Sequence, residues 1–325
     1  MDPKIETKVE ARNLPSSLEE WMIAAGAYKR RSIHVQRGLL SGSKIDRSQY
    51  LHLRVLWEND IRQEACDRLN LGKFHDEAKG WLAKFDPFQR HLDRLKCPTA
   101  MDDPADIFYT AYRQQEQVMK FFRKGVKEQG LRRLNEQIVN TSLVCFLDAI
   151  CGKHARLKKA CVWTPQNAGL TANFPKAAMV CKLDGYLCSD STSQTHLILE
   201  AKPNRREKHS PTVYWQEAAE LVAALRTPLP KGLKRDMAVL ISQDGDQLYI
   251  AKAFQGATYL EYLERTEEPK QPEQLNELDE AGFLRIEQWG PWNIAHPGDV
   301  EEFAGLLLAI VLRAFSEDTL AETTG

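Results

Sequence analysis

The stretch Thr195–Pro203, THLILEAKP, limits what this chain can fold into more than any other. Its apolar run is too short for a helix of ordinary length and reads as a strand buried on both faces. It ends on Glu200-Ala201-Lys202. Alternate side chains on a strand share a face, so Glu200 and Lys202 point one way while Ala201 points into packing on the other. A charged pair closing a buried strand is more telling than the same pair on a surface, where it is a weak ion pair.

The flanking segments give this strand a setting. LRRLNEQIVNTSLVCFLDAIC has helical periodicity, whereas ACVWTPQNAGLTANF and AAMVCKLDGYLCSD have the turn residues and β-branched or aromatic content of short strands. After the buried strand, TVYWQEAAELVAALR predicts a helix closed by Pro228 and Pro230. DMAVLISQDGDQLYIAKAF predicts a hairpin through Asp244-Gly245, a pair suited to positive φ in a tight turn. Glu267 to Asp279 reads as an exposed loop, and a last apolar helix is expected from near Pro297. The run Phe303–Phe315 within it is shorter than the ~20 residues a membrane span needs. The order predicted is helix, strands, helix, hairpin, helix.

Residues 1–130 read as a charged helical region, with the aromatic stripe Phe108, Tyr109, Tyr112, Phe121 and Phe122 as helix core. Residues 131–325 read as an α/β domain of mixed strands flanked by helices. The formal net charge of −1 does not suit a protein that coats nucleic acid by bulk attraction. It hides a division: 41 Lys+Arg against 32 Asp+Glu through residue 265, then 3 against 13. A polyanion would have to be met locally. The seven cysteines have no zinc-ligand spacing, and the polar N-terminus lacks a secretory signal, so free thiols and an intracellular setting, nucleus or cytoplasm, are expected.

The chemistry centres on Asp184, near the end of one strand, and on Glu200 and Lys202, on the next. A hairpin through SDSTSQT would bring all three together. Two carboxylates hold a hard cation that polarises a phosphoryl oxygen and acidifies water, and a lysine steadies the charge that develops. Basic residues follow at Arg205, Arg206 and Lys208, placed to meet a phosphate backbone. An earlier group, Lys153, Arg156, Lys158 and Lys159, reads equally as a solvated loop. His209 and His296 carry no assignment. No P-loop, Rossmann fingerprint, G-x-S-x-G elbow or H-E-x-x-H is present.

KLDGYLCSD, LILEAKP and YWQEAAELVAALR, in this order and spacing, resemble the PD-(D/E)XK nuclease-like superfamily, and GPWNIAHPGDVEEFAGLLLAIVLRAF resembles the ending of its fungal nuclease-like branch. The resemblance spans residues 131–325. It implies a restriction-endonuclease-like fold, Asp184 and Glu200 as ligands of Mg²⁺ or Mn²⁺, and Lys202 as the catalytic lysine. It also implies supporting roles for Gln216 and Glu136, and DNA or RNA as substrate, with a homodimer as one arrangement. Leu183 stands in place of the name-giving proline. The alternatives are a binding or scaffold module that keeps the fold without turnover, or an accessory protein of a fungal gene cluster or mobile element.

Overall fold

The apolar run at Leu197–Leu199 is a strand with every one of these side chains buried, and the helices are layered on its two faces. In the computed structural model, residues 14–26, 32–59, 62–97, 103–122, 134–166, 168–265 and 278–323 are described. The first elements among the described residues are α1 (Leu18–Gly26), α2 (Arg47–His52), β1 (Val55–Asn59) and α3 (Ala65–Arg68). Three longer helices follow: α4 (Gly72–Leu82), α5 (Asp86–Lys96) and α6 (Tyr109–Phe122). Next come α7 (Glu136–Cys151), β2 (Cys161–Thr164), β3 (Ala168–Asn173), β4 (Ala178–Leu183), β5 (Gly185–Ser189) and β6 (Thr195–Lys202). The remainder is α8 (Thr212–Arg226), β7 (Val239–Asp244), β8 (Gln247–Gln255), α9 (Tyr259–Glu264), β9 (Leu284–Asn293) and α10 (Pro297–Thr323).

A seven-stranded mixed sheet has the order β1-β9-β8-β7-β6-β5-β2, and β3-β4 form a separate ribbon. The expected hairpins are present: β5 and β6 are antiparallel, as are β7 and β8 across Asp244-Gly245, where Gly245 has φ 61°. β6 and β7 are parallel, with α8 as the crossover between them.

Alternation sorts the β6 side chains into two cores. Leu197, Leu199 and Ala201 join Ile241 of β7 and the apolar stripes of α7 and α10. Ile198 joins Leu240 and the Ala/Leu/Val face of α8 on the other side. Glu200 and Lys202 share the parity of Ile198 and therefore face α8, in register with Ser242 and Asp244 of β7. Truncating a fully packed residue such as Leu199 to Ala is expected to cost about 2–5 kcal/mol, because the void cannot close around it.

Two strands escape the sequence reading. β1 lies in the region expected to be helical and pairs parallel with β9, Val55 opposite Leu284. Leu53 and His52 carbonyls accept from the hydroxyls of Tyr259 (2.8 Å) and Tyr262 (2.7 Å), so residues 50–59 are integrated with the sheet and do not merely lie beside it. β9 itself falls in a stretch to which no element was given; its Gly290-Pro291 interruption obscures a run that buries Leu284, Ile286, Trp289 and Trp292. Most of the loop expected at Glu267–Asp279 lies outside the described residues. Among the described residues, no helix is long and apolar enough to cross a membrane.

Candidate active site

Asp184 sits at the break between β4 and β5, where the chain leaves the two-stranded ribbon and enters the main sheet. The sequence placed it near the end of a strand; the structure makes it a hinge between two. Its backbone N–H donates to Leu199 O (3.2 Å), and its carbonyl accepts from the Asn140 side-chain amide of α7 (2.8 Å). Its carboxylate Oδ2 accepts from Ala201 N (2.8 Å). Gly185 makes this possible: a Cβ there would lie 2.5 Å from Thr164 O and 3.1 Å from Leu199 Cδ1, pushing β5 off its neighbours.

Glu200 is 1 % exposed. Its Oε1 accepts from the Lys202 ammonium and from Gln216 Nε2 (2.5 Å), and the same Gln216 nitrogen donates to Glu220 Oε1 (2.9 Å). Gln216 and Glu220 are four apart on α8, so one helix face carries both toward β6. Glu136, in the first turn of α7, reaches Lys202 Nζ at 3.6 Å from the opposite side of the strand end. Asn135 caps that helix by accepting from Ile138 N (2.9 Å), which fixes where Glu136 begins. Thus Asp184, Glu200, Lys202, Glu136 and Gln216 all line one open cleft of about 940 Å³.

Acids crowd the end of β6, while two further lysines, Lys44 and Lys182, line the cleft wall. Glu136, Asp184, Glu200 and Glu220 surround one buried-end cation, Lys202. Burial raises the Glu200 carboxyl well above its ordinary value, and Glu220 beside it adds to the effect. Burial likewise pushes Glu220 up to about 8. Asp184 is raised by burial too, against the opposing hydrogen bond from Ala201. Burial works to lower Lys202, but the adjoining Glu200 carboxylate outweighs it and holds the ammonium above its ordinary range.

A hard cation fits this set. Glu220 Oε2 and Asn140 Oδ1 are buried oxygens with no hydrogen-bond partner, and the cluster of carboxyl groups at the end of β6 matches the preference of Mg²⁺ for carboxylates and retained waters. Asp184 and Glu200 would be its protein ligands. Among the described residues no group of three or more His, Cys, Asp or Glu is placed to hold a metal ion, so beyond Asp184 and Glu200 water and the backbone would have to supply the coordination.

The three basic residues expected at substrate are placed differently. Arg206 is 2 % exposed and fully engaged: it meets Asp244 (2.6 Å), Glu217 (2.5 Å), Ser242 (2.8 Å) and Gln288, and lies over the Tyr249 ring at 4.0 Å. It knits α8 to β7 and β9, and phosphate cannot reach it while that network holds. Arg205 forks onto Asp246 (2.7 Å on both arms) and lines a different cavity. Lys208 is exposed on the turn Arg206–Lys208 and is not part of the cleft lining.

Other cleft residues went unnoticed in the sequence. Lys182 precedes Asp184 by two, a spacing that made it findable. Asn140 follows Glu136 by one helical turn, another readable signal. Lys44, on the short turn Gly42–Lys44 ahead of α2, had none, because only the tertiary fold carries it to the cleft. His209 also lines the cleft, with Nε2 buried and unpartnered. Of the earlier basic group, Arg156 pairs with Glu77 (2.9 Å), away from these residues.

Compared with models of protein families and with curated proteins, the chain matches none. What the cleft does is therefore argued from its residues.

Proposed function

We propose that this chain is a metal-dependent phosphodiesterase of the PD-(D/E)XK nuclease-like kind, with a restriction-endonuclease-like core, acting on DNA or RNA. The observation that carries the reading is the convergence of Asp184, Glu200 and Lys202 in one cleft, with Asp184 tied to the backbone N–H of Ala201, the residue between the other two. The mixed sheet supports the fold assignment: an antiparallel β5–β6 hairpin feeds a parallel β6–β7 pair through α8.

A bound Mg²⁺ or Mn²⁺ would polarise the phosphoryl oxygen and lower the pKa of a water. Asp184 and Glu200 supply the anionic oxygens that hold it. Gln216 fixes the Glu200 carboxylate from α8, so the ligand does not have to be ordered on binding. Lys202 keeps its proton between Glu200 and Glu136 and offers positive charge where the phosphoryl group becomes more negative. Lys44 and Lys182 on the cleft wall supply the local attraction for a polyanion that the net charge of −1 does not.

The second reading, a binding module without turnover, is favoured by one observation: Glu200 Oε1 is already occupied by Lys202 and Gln216. Cleavage of plasmid, single-stranded DNA and RNA in Mg²⁺ or Mn²⁺ separates the two. Metal-dependent products from the wild type, and none from Asp184→Asn or Lys202→Gln, support the nuclease. A folded wild type that binds nucleic acid but cuts nothing supports the module.

A further inference from the structure

Gln216 commits its amide nitrogen on one side and leaves its oxygen on the other. Nε2 donates to Glu200 Oε1 (2.5 Å) and to Glu220 Oε1 (2.9 Å), which takes up both of its protons. Two carboxyl oxygens on the same arm of an amide identify that arm as nitrogen, because the flipped amide would set three oxygens against one another. Oε1 then lies on the opposite arm. It makes no hydrogen bond among the described residues, yet it is not sealed from solvent, and the side chain lines the main cleft. Gln216 Oε1 is therefore an open acceptor on the cleft wall beside Glu200.

Glu220 controls where that acceptor points. It is fully buried and does not line the cleft, so it reaches the cleft only through a neighbour or through its charge. Its one hydrogen bond among the described residues comes from Gln216, a turn earlier on the same face of α8. Glu200 Oε1, by contrast, is shared with the Lys202 ammonium and stands to be shared again with a cation. A single acceptor would place the amide nitrogen and leave the amide free to swing about that bond. The second fixes its plane, and with it the direction of Oε1. As a brace for the fold Glu220 is a poor choice: its Oε2 is buried without a partner, which costs stability that an apolar side chain of similar size would not.

We propose that Glu220 is a positioning residue of the metal site: it holds the Gln216 amide so that Oε1 accepts from a water of the hydrated cation bound by Asp184 and Glu200. The proposal rests on the reading of those two acids as ligands of a divalent cation, and not on cleavage. A neutral oxygen suits the place. Mg²⁺ keeps several of its waters, and each needs an acceptor, while another carboxylate at that position would repel the acids already there. Outer-shell groups of this kind change metal affinity by about tenfold to a hundredfold.

The test is calorimetric titration of the full chain with Mg²⁺ alone, using wild type, Glu220→Met, Glu220→Gln, Gln216→Met and the double variant with methionine at both positions. Glu220→Met is expected to weaken Mg²⁺ binding about tenfold or more while melting no lower than wild type in EDTA. Glu220→Gln loses the charge and keeps an acceptor, so it should bind nearly as wild type does. With methionine already at Gln216, the change at Glu220 should cost nothing further, because its effect runs through the amide. A wild type that binds no Mg²⁺ removes the metal reading and this proposal together. Binding by wild type with equal affinity in Glu220→Met overturns this proposal alone. So does a further loss in the double variant, or a loss in Glu220→Gln as large as in Glu220→Met, either of which would mark Glu220 as acting by its charge or as a brace. Should Glu220→Met fail to fold, the wild type decides by NMR: both side-chain amide protons of Gln216, assigned with Gln216→Met, should exchange slowly with solvent, and fast exchange of either overturns the proposal.

Discussion

The backbone N–H of Ala201 donates to Asp184 Oδ2 over 2.8 Å, so the acid at the β4–β5 break is oriented by the residue between Glu200 and Lys202. Asp184→Asn keeps an acceptor for that bond and removes only the charge. The variant is expected to fold, with a melting temperature at or above that of wild type, because burial disfavours the ionised acid. Mg²⁺ at a hundred times its dissociation constant should stabilise the wild type by about 2.7 kcal/mol and leave the variant unmoved, which differential scanning fluorimetry reads directly. An equal Mg²⁺ shift in both proteins would remove Asp184 from the metal site.

Glu220 ties stability to pH. Its carboxyl holds a proton in the folded protein up to about 8, against an ordinary value of 4.5. The folded state thus binds more protons than the unfolded chain across that window, and this contribution is complete below 4.5 and lost as pH rises through 8. Glu200 is shifted in the same direction. Melting temperatures in EDTA should fall between pH 5 and pH 9. Glu220→Gln, which can still accept from Gln216, should flatten that fall; an unchanged slope would show that the buried acids are not its source.

Arg206→Met would strand Glu217 and Asp244 in the interior without their counter-charge. Removing one member of a buried ion-pair network costs about 3–5 kcal/mol, so urea denaturation should show a loss of that order. Lys208→Ala, on the exposed turn two residues on, should change stability by less than about 0.5 kcal/mol. Similar values for the two would mean that the Arg206 network does not hold α8 to the sheet.

Lys44 and Lys182 line the cleft from segments far apart in sequence. If each contacts one phosphate, alanine at either position should reduce the slope of log affinity against log salt by about 0.7–0.9. Fluorescence anisotropy with labelled single-stranded DNA between 50 and 200 mM salt (~fourfold) covers the range where such a change is visible. Parallel plots for wild type and both variants would place the phosphates elsewhere.

How far the sequence went is decided by reach. Glu200 and Lys202 were legible because strand alternation fixes their common face, and Asp184 because a short polar connection forces a hairpin. Gln216 followed from the helix after β6. The burial of Arg206 was not legible for a different reason: a basic run after a catalytic-type motif looks the same whether it faces solvent or Asp244 and Glu217, and only the crossover of α8 decides. β1 was hidden for a similar reason. VLWEN is short and sits between helical patterns, and its partner, β9, is remote in the chain. Lys44 likewise has no local signature; its position is a property of how Gly42 packs on Cys181, against whose side chain any Cβ at Gly42 would press.

The parallel pairing of Val55–Asn59 with Leu284–Gln288 also sets an order of events during synthesis. The first strand leaves the ribosome long before its partner exists, so this edge of the sheet closes only after residues 284–288 have been made. Until then Val55, Leu56 and Trp57, all buried in the finished protein, have no strand to dock on. Contacts so distant in sequence slow folding and leave an apolar strand open to wrong partners meanwhile. This stretch is where a holding chaperone would have most to protect, and where premature termination before Leu284 would leave a lasting sticky edge.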